Sequence, residues 1–147
     1  MQSTVDECAR EVLETVPLVF RVIRLELRKH GARELSVPQF RTLDFVGRHP
    51  GASLSEVADH IGLTLPSMSA LIDGLVTLGF AARRTNPDDR RRMTLALTDR
   101  GKMTLRTARE ATQEYLAQVL EALSSDDHVA LIKSMSTLRS IFAGKVT

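Results

Sequence analysis

The sequence predicts a mainly α-helical chain with one small β-hairpin, as judged from the spacing of its apolar residues. Two short amphipathic segments, residues 54–61 and 65–79, repeat at helical spacing and are separated by a glycine-containing turn. A basic, turn-rich loop then joins two segments that have the length and alternation of short strands. A helix pair followed by such a hairpin is a winged helix-turn-helix, and we expect it to form the core of the fold, flanked by long terminal helices.

The first helix is predicted over residues 4–30, because an apolar stripe runs along it and Gly31 follows its last periodic residue. Pro17 lies inside this helix and should kink it or leave one carbonyl unpaired. A long apolar stripe at one end of a small chain is difficult to bury within one protomer, so we expect it to pack against a second subunit. The stripe consists of Val5, Cys8, Val12, Val16, Val19, Phe20, Ile23 and Leu27.

The second helix is predicted over residues 36–47, where Ser36 and Gln39 have the spacing of a capping box. The sequence after it, His49-Pro50-Gly51, is typical of a turn. The core side chains expected from this helix are Val37, Phe40, Leu43, Phe45 and Val46.

The helix-turn-helix that follows has clear start and stop signals. Ser53 and Glu56 form a second capping box, and Gly62 can take the left-handed conformation that ends a helix. Thr64 can cap the next helix, whose first turn tolerates Pro66. The two apolar faces are formed by Leu54, Val57, Ala58 and Ile61, and by Met68, Leu71, Ile72, Leu75 and Leu78.

The hairpin is predicted from residues 81–84 and from the alternation of Met93, Leu95 and Leu97. Its loop contains Asn86 and Pro87 and ends in three arginines. Between residues 83 and 102 there are seven Arg or Lys and three Asp. Such a charge run is in most proteins a solvated face, but its place beside a helix-turn-helix favours nucleic acid as the partner.

A long helix capped by Thr98 is predicted over residues 98–123, and Ser124 with Asp127 caps a last helix. We expect one domain over residues 1–147. Within it, residues 1–31 and 124–147 are dimerisation helices, residues 36–100 are the DNA-binding region, and residues 98–123 connect the two parts.

The composition is that of an ordinary globular chain, with 43% hydrophobic and 26% charged residues among 147. The net charge is +2 and the isoelectric point is about 9.0. No apolar run is long enough for a membrane span and no signal-peptide pattern opens the chain, so we expect a cytoplasmic protein without a membrane partner. A single cysteine excludes an internal disulfide and fits a reducing compartment.

The run IGLTLPSMSALIDGLVTLGFAARRTNPDDRRRMTLALTDRGK, residues 61–102, resembles the MarR family of bacterial transcription regulators. The family's D-x-R wing turn is matched by residues 89–91, and its L-x-L-T-x-x-G motif by residues 95–101. The flanking helices match in order and length, so the resemblance covers nearly the whole chain. It implies a homodimer that places two second helices in successive major grooves, about 34–36 Å apart, on a palindromic double-stranded DNA operator.

Several side chains are candidates for contact with DNA. On the second helix the apolar stripe leaves Ser67, Ser69, Ala70, Asp73, Gly74 and Thr77 facing outward, and Pro66 lies in the first turn. Many members of the family carry an Arg or another long polar residue where this chain has Ala70 and Gly74. Base specificity should therefore depend on hydroxyls, methyl groups and DNA shape. Close approach to DNA or packing within the protein would explain Gly74.

The remaining DNA candidates lie on the wing. The resemblance implies that Arg91 enters the minor groove while Asp89 orients it, with Arg90 and Arg92 as phosphate contacts or solvated neighbours. Asp73 would repel phosphate, so we expect it to pair with Arg83 or Arg84 and to hold the wing against the helix. Arg83 and Arg84 complete the candidate DNA-binding set.

Relatives of this kind commonly release DNA when a small anionic or aromatic compound binds between the dimer helices and the winged domain. Arg21 and Arg24 are candidates for contact with its carboxylate, although surface charges or dimer salt bridges would explain them as well. With five Phe, one Tyr and no Trp, no aromatic box is evident.

Alternative functions have weaker support. Some relatives sense peroxide through a first-helix cysteine, but Cys8 has no Tyr near it and lies on the apolar stripe, where a buried structural role is expected. His30, His49, His60 and His128 are scattered, so we expect surface histidines and neither a metal nor a cofactor. No phosphate-binding loop or nucleophile–base pair indicates an enzyme. A winged-helix protein-interaction adaptor is the other alternative, and the arginine-rich wing argues against it.

Overall fold

Within residues 2–31, 33–89 and 91–145, which the structure (a computed structural model) describes, the chain forms six α-helices and one two-stranded sheet. The mainly α-helical fold with a small wing is confirmed. The chain divides into two units, residues 1–112 and residues 113–147. The elements are α1 (Gln2–His30), α2 (Val37–Arg48), α3 (Leu54–Ile61), α4 (Leu65–Thr77), β1 (Ala81–Thr85), β2 (Met93–Leu97), α5 (Asp99–Leu120) and α6 (Ser125–Phe142), followed by a short 3₁₀ turn (Ala143–Lys145).

The helix starts lie where their capping residues predict them. At α2, the Ser36 side chain accepts from the Gln39 N–H while the Gln39 side chain accepts from the Ser36 N–H, which completes the capping box. The hydroxyls of Ser53 and Thr64 cap α3 and α4 in the same way, each by accepting from the backbone N–H three residues later. Gly62 ends α3 with a φ of 82°, in the left-handed region that glycine favours.

The helix ends differ by a few residues from their predicted positions. Helix α1 continues through Pro17 as one element. Helix α4 stops at Thr77, before Gly79, because Gly79 takes a φ of 83° that turns the chain toward β1. Helix α5 ends at Leu120 because its last turn tightens there, and Leu123 bonds to the carbonyl of Leu120 instead of continuing the helix.

The buried side chains form two clusters in the unit that contains the wing. The first cluster joins α2, α3, α4 and β2, and its largest members, Met68 and Ile72, are fully buried. The second joins the start of α2, the end of α4, the beginning of β1 and α5. Both clusters hold α4 by the same face, and the opposite face of the helix is exposed to solvent. The second cluster consists of Leu35, Leu43, Leu75, Phe80, Ala81 and Leu105.

The wing is an antiparallel hairpin in which Arg83 lies opposite Leu95 and Arg84 opposite Thr94. Leu95 is buried in the first cluster, so the face of the hairpin that carries Leu95 packs on the helices. Because side chains alternate along a strand, Arg83 lies on this inner face and Arg84 on the outer face.

The terminal helices leave much apolar surface uncovered. On α1, Leu13 is 75% exposed, and Val5, Val16, Leu18, Val19, Phe20 and Leu25 are also exposed. In the other unit, α6 has no buried residue among those described, and Ile132 is 70% exposed.

Cys8, expected to be buried on the apolar stripe of α1, is exposed in the described protomer, and its burial against a second subunit stays a prediction. His128, expected at the surface, is half-buried, and its Nε2 lies 2.7 Å from the carbonyl oxygen of Leu120 in the same unit.

Candidate nucleic-acid interface

One face of α4 is open to solvent. Met68, Ile72 and Leu75 pack into the core on one side of the helix. The opposite side is formed by Pro66, Ser67, Ala70, Asp73 and Thr77, all of them exposed. Ser69, predicted to face outward, is half-buried at the edge of this face. The helix therefore presents short side chains and one carboxylate.

Gly74 does not belong to the open face, contrary to the prediction. It is half-buried, and a Cβ placed on it would lie 2.8 Å from Nε2 of Gln39. The same Gln39 side chain accepts the Ser36 N–H through its other amide atom. Of the two explanations that the sequence left open for Gly74, the structure supports packing, because the cap of α2 occupies the space where a side chain would lie.

The amino end of α4 is held by hydroxyls. The Thr64 hydroxyl accepts the Ser67 N–H at 3.3 Å and donates to the Ser67 hydroxyl at 3.0 Å. Both side chains are exposed, so the first turn of α4 presents a small polar surface beside Pro66.

The wing contacts α4 through an ion pair. Arg83, on the inner face of the hairpin, donates to the carboxylate of Asp73. Of the two pairings considered from sequence, the structure therefore has Arg83. Arg84 is exposed on the other face and makes no ion pair with the part of the chain that the structure describes.

The tip of the wing is ordered by hydrogen bonds to its own backbone. Asn86 N–H donates to the Arg92 carbonyl, and Arg92 N–H donates to the Asp89 carbonyl. The Asp89 carboxylate accepts the backbone N–H of Arg91 at 3.0 Å. Asp89 thus fixes the turn that carries Arg91, whose side chain is exposed.

The three arginines at the tip differ in their surroundings. Arg92 lies 3.8 Å from the carboxylate of Glu56 on α3, a contact that sequence spacing did not indicate. Arg91 makes no ion pair with any described residue. Arg90, the other candidate in this loop, lies outside the described residues.

The residues that join the wing to α5 explain part of the sequence motif. Thr98 caps α5 by accepting the Gly101 N–H, and its hydroxyl also donates to the Gly79 carbonyl at 2.6 Å. A Cβ on Gly101 would lie 2.1 Å from the carbonyl oxygen of Phe80, so a larger residue cannot fit there. Thr98 and Gly101 of the L-x-L-T-x-x-G motif therefore pack the start of α5 directly against the turn after α4.

The two larger of the cavities described beside α1 lie in the unit of residues 1–112. One, of about 410 Å³, is lined by Arg21 and Arg24 together with Pro17, Phe20, Leu25, Arg28 and Val37. The other, of about 370 Å³, lies between α1, α2 and the end of α3. It is lined by Phe20, Ile23, Arg24, Leu27, Phe40, Arg41, Asp44, Phe45, Arg48, His49 and His60.

The second cavity contains an aromatic cluster that the sequence did not reveal. Phe20, Phe40 and Phe45 all line it, although Phe20 lies on α1 and the other two on α2. His49 and His60 each stack on the Phe45 ring, with centroids 4.3 and 4.2 Å away. Arg24 lines both cavities and lies 5.5 Å from the centre of the Phe20 ring. Arg21 lines only the first cavity.

The described residues contain no group of three or more His, Cys, Asp or Glu side chains arranged to hold a metal ion. None of the helices in that part of the chain combines the length and the apolar character that a membrane crossing requires.

Comparison with known proteins identifies the family. A model described as MarR family matches residues 34–92, from just before α2 through the wing tip. YfiV of Bacillus subtilis, an uncharacterised helix-turn-helix transcriptional regulator, is 30% identical over 105 residues. The chain belongs to the MarR family. The alignment with YfiV covers 71% of this chain and 66% of YfiV, just under two thirds of that protein's length.

Solved structures of other proteins superpose on almost the whole chain. The crystal structure of Rv1404 from Mycobacterium tuberculosis superposes with a TM-score of 0.80 at 22% identity, covering 95% of this chain and 94% of that one. The transcriptional repressor CouR, solved bound to a 23-mer DNA duplex, has a TM-score of 0.61 at 26% identity, covering 90% and 94%. This chain thus shares the winged-helix fold of MarR-family transcriptional regulators.

Proposed function

We propose that the protein is a homodimeric repressor that binds a palindromic DNA operator in the cytoplasm and releases it when a small anionic aromatic compound binds. The observation that carries this proposal is the pairing of an open α4 face with a cationic hairpin, joined through Asp73 and Arg83. A groove-binding helix beside an arginine-bearing wing fits two adjacent grooves of one duplex.

In this proposal the two parts of the interface have different tasks. Pro66, Ser67, Ser69 and Ala70 meet the major groove, where hydroxyl and methyl groups contact base edges and phosphates. Gly74, half-buried against α2, lets α4 pack close and does not itself contact DNA.

On the wing, Arg91 enters the minor groove because it is exposed, free of described ion pairs, and carried by a turn that Asp89 fixes. Arg84, on the outer face, meets phosphate. Arg83 and Arg92 are engaged by Asp73 and Glu56 and contribute mainly through their positive field. Arg90 is assigned to phosphate on its sequence position alone.

The test of DNA binding is selection from a pool of random duplexes, followed by affinity measurements in a salt series. We expect the selected duplexes to share an inverted repeat with half-sites about 10 base pairs apart, centre to centre. Affinity should fall steeply with salt because phosphates are neutralised. Failure to enrich any double-stranded sequence would contradict the proposal, and binding without salt dependence would remove the wing from the interface.

The homodimer is supported by the uncovered apolar side chains of α1 and α6. Patches of this extent on a globular chain mark interaction surfaces, and a closed two-fold pair is the simplest assembly that covers identical surfaces. Sedimentation should give a dimer at micromolar concentration. Leu13→Glu or Ile132→Glu should shift it toward monomer, whereas Ser134→Glu, a new charge at an exposed polar position of α6, should not. A wild-type monomer would contradict the proposed assembly.

The effector proposal is supported by the cavities beside α1. Phenylalanine rings and guanidinium groups lie together there, a combination suited to a flat molecule that carries a carboxylate. Titration with a panel of aromatic carboxylates should reveal a binder that lowers DNA affinity. Arg24→Ala should weaken that binder, and Arg10→Ala, an exposed arginine of the same helix outside both cavities, should not. An equal loss of affinity for the aromatic carboxylate in the two variants would show that Arg24 is not part of the effector site.

A further inference from the structure

Three successive backbone carbonyls after α4 accept hydrogen bonds from residues 98–100. Arg100 Nη1 donates to the Leu78 carbonyl at 2.7 Å, and the Thr98 hydroxyl donates to the Gly79 carbonyl. The Thr98 N–H donates to the Phe80 carbonyl at 3.1 Å. Carbonyls at the end of a helix lack partners within it, and α4 has no basic residue in its last turn. Arg100 therefore supplies from α5 the cation that favours this helix end.

The Arg100 side chain makes two further contacts. Its guanidinium carbon lies 4.4 Å from the centre of the Phe80 ring, which is fully buried at the start of the wing. Its Nη2 lies 3.3 Å from the carboxylate of Glu34, in the connection between α1 and α2. One planar group thus joins the end of α4, the root of the wing and the connection that leads to α2.

These contacts are not all equally strong. Glu34 and Arg100 are each 55% exposed, so their ion pair is screened by solvent. The hydrogen bond to Leu78 is shorter and charge-assisted, and the stacking is against a buried ring. Most of the positioning therefore comes from Leu78 and Phe80. Thr98 and Gly101 are named positions of the L-x-L-T-x-x-G motif, whereas Arg100 stands at a position that the motif does not specify.

We propose that Arg100 is a positioning residue for DNA recognition. It fixes the carboxyl end of α4 and the root of the wing relative to the α1–α2 connection, and so sets the angle at which α4 meets the major groove. Without Arg100 the helix end and the wing would be held by Thr98, the core and the exposed Asp73–Arg83 pair, and the position of the wing relative to α4 would be less fixed.

The test compares affinity for a duplex selected by the wild-type protein with affinity for a scrambled duplex of the same composition. Arg100→Ala should weaken the selected duplex about tenfold, the effect of losing one charge-assisted hydrogen bond. The variant should change the affinity for the scrambled duplex less than about twofold. It should also leave the slope of log affinity against log salt unchanged, because non-specific binding depends on charge and not on the angle of the helix.

Three further variants separate positioning from charge and from folding. Arg106→Ala removes an exposed arginine of α5 that makes no hydrogen bond or ion pair with described residues, and its affinity for both duplexes should equal that of the wild type. Arg100→Lys keeps a cation and one donor for Leu78, so it should recover part of the selectivity. Glu34→Gln should change selective binding less than about threefold, as expected for an exposed pair.

Two outcomes of the binding test would overturn the proposal. Equal weakening of both duplexes with a salt slope reduced by about one would make Arg100 a phosphate contact. Selectivity equal to that of the wild type in Arg100→Ala would show that α4 is held without it.

Amide hydrogen exchange without DNA tests the same contact in a way that does not depend on finding an operator. The N–H groups of Leu78, Gly79 and Phe80 bond to carbonyls of α4. In Arg100→Ala, or in Arg100→Met if the alanine variant does not fold, these amides should exchange faster while those of α6 stay unchanged. Unchanged exchange at Leu78–Phe80 would overturn the proposal. Failure of the wild type to select any duplex would instead contradict the proposed function.

Discussion

Asp73 on α4 and Arg83 on β1 form an ion pair that ties the open helix face to the inner face of the wing. The two residues are ten positions apart, and the turn at Gly79 brings them together. The pair places an acid on a surface that is otherwise suited to phosphate. The contribution of Asp73 is therefore to the geometry of the interface, since the negative charge of its carboxylate repels DNA.

Asp73→Asn separates these two effects. We expect affinity for the selected duplex to fall about threefold, within the range for a partly exposed ion pair, because Arg83 is no longer held. Affinity for a scrambled duplex should not fall, because the variant removes a negative charge. Fluorescence anisotropy with both duplexes measures the ratio of the two affinities. Stronger binding to both would mean that Asp73 acts only through repulsion.

Arg91→Ala tests the wing tip. Binding should weaken for every duplex, and the slope of log affinity against log salt should fall by about one, as expected for the loss of one cation at the phosphate backbone or in the minor groove. Arg106→Ala is the control for a lost charge elsewhere. Unchanged affinity in Arg91→Ala would remove this residue from the interface.

Gly74→Ala probes the packing of α4 on the cap of α2. Alanine favours a helix by about 1 kcal/mol over glycine. The new Cβ would displace Gln39 and break its bond to the Ser36 N–H, a cost of about 1 kcal/mol. We expect almost no net change in the free energy of unfolding by urea.

The same substitution in a Gln39→Ala background should stabilise the protein by about 1 kcal/mol, because only the gain in helix propensity remains. Equal effects of Gly74→Ala in the two backgrounds would show that Gln39 does not constrain this position.

Gly101→Ala should destabilise the protein by about 3 kcal/mol, because its Cβ would overlap the rigid backbone carbonyl of Phe80. Gly144→Ala is the matched control, since no described atom lies within 4 Å of its Cβ position, and it should change stability by less than about 0.5 kcal/mol. Urea unfolding gives both values. A stable Gly101→Ala variant would show that α5 can move away from the turn.

The sequence predicted well those features that depend on local chemistry. Ser36, Ser53, Thr64 and Ser124 each cap a helix, because a hydroxyl before an amphipathic segment satisfies a free amide nearby. The hairpin followed from the alternation around Leu95, which is buried as expected.

Features that depend on long-range contacts were harder to predict from the sequence. Gly74 was placed on the outer face because helical spacing says nothing about the Gln39 side chain that reaches it from α2. The contacts of Arg100 with Leu78 and Glu34 were missed, since they link residues 22 and 66 positions apart. The aromatic cluster around Phe45 was missed for the same reason.

Helix α6 buries none of its described residues. Its most exposed apolar side chains, such as Ile132, would therefore add fully to the folding free energy only in the proposed homodimer. In that dimer, mass action would link stability to abundance. At a low concentration in the cell each molecule would be less stable, and a modest rise in expression would increase both the amount of protein and the folded fraction of it.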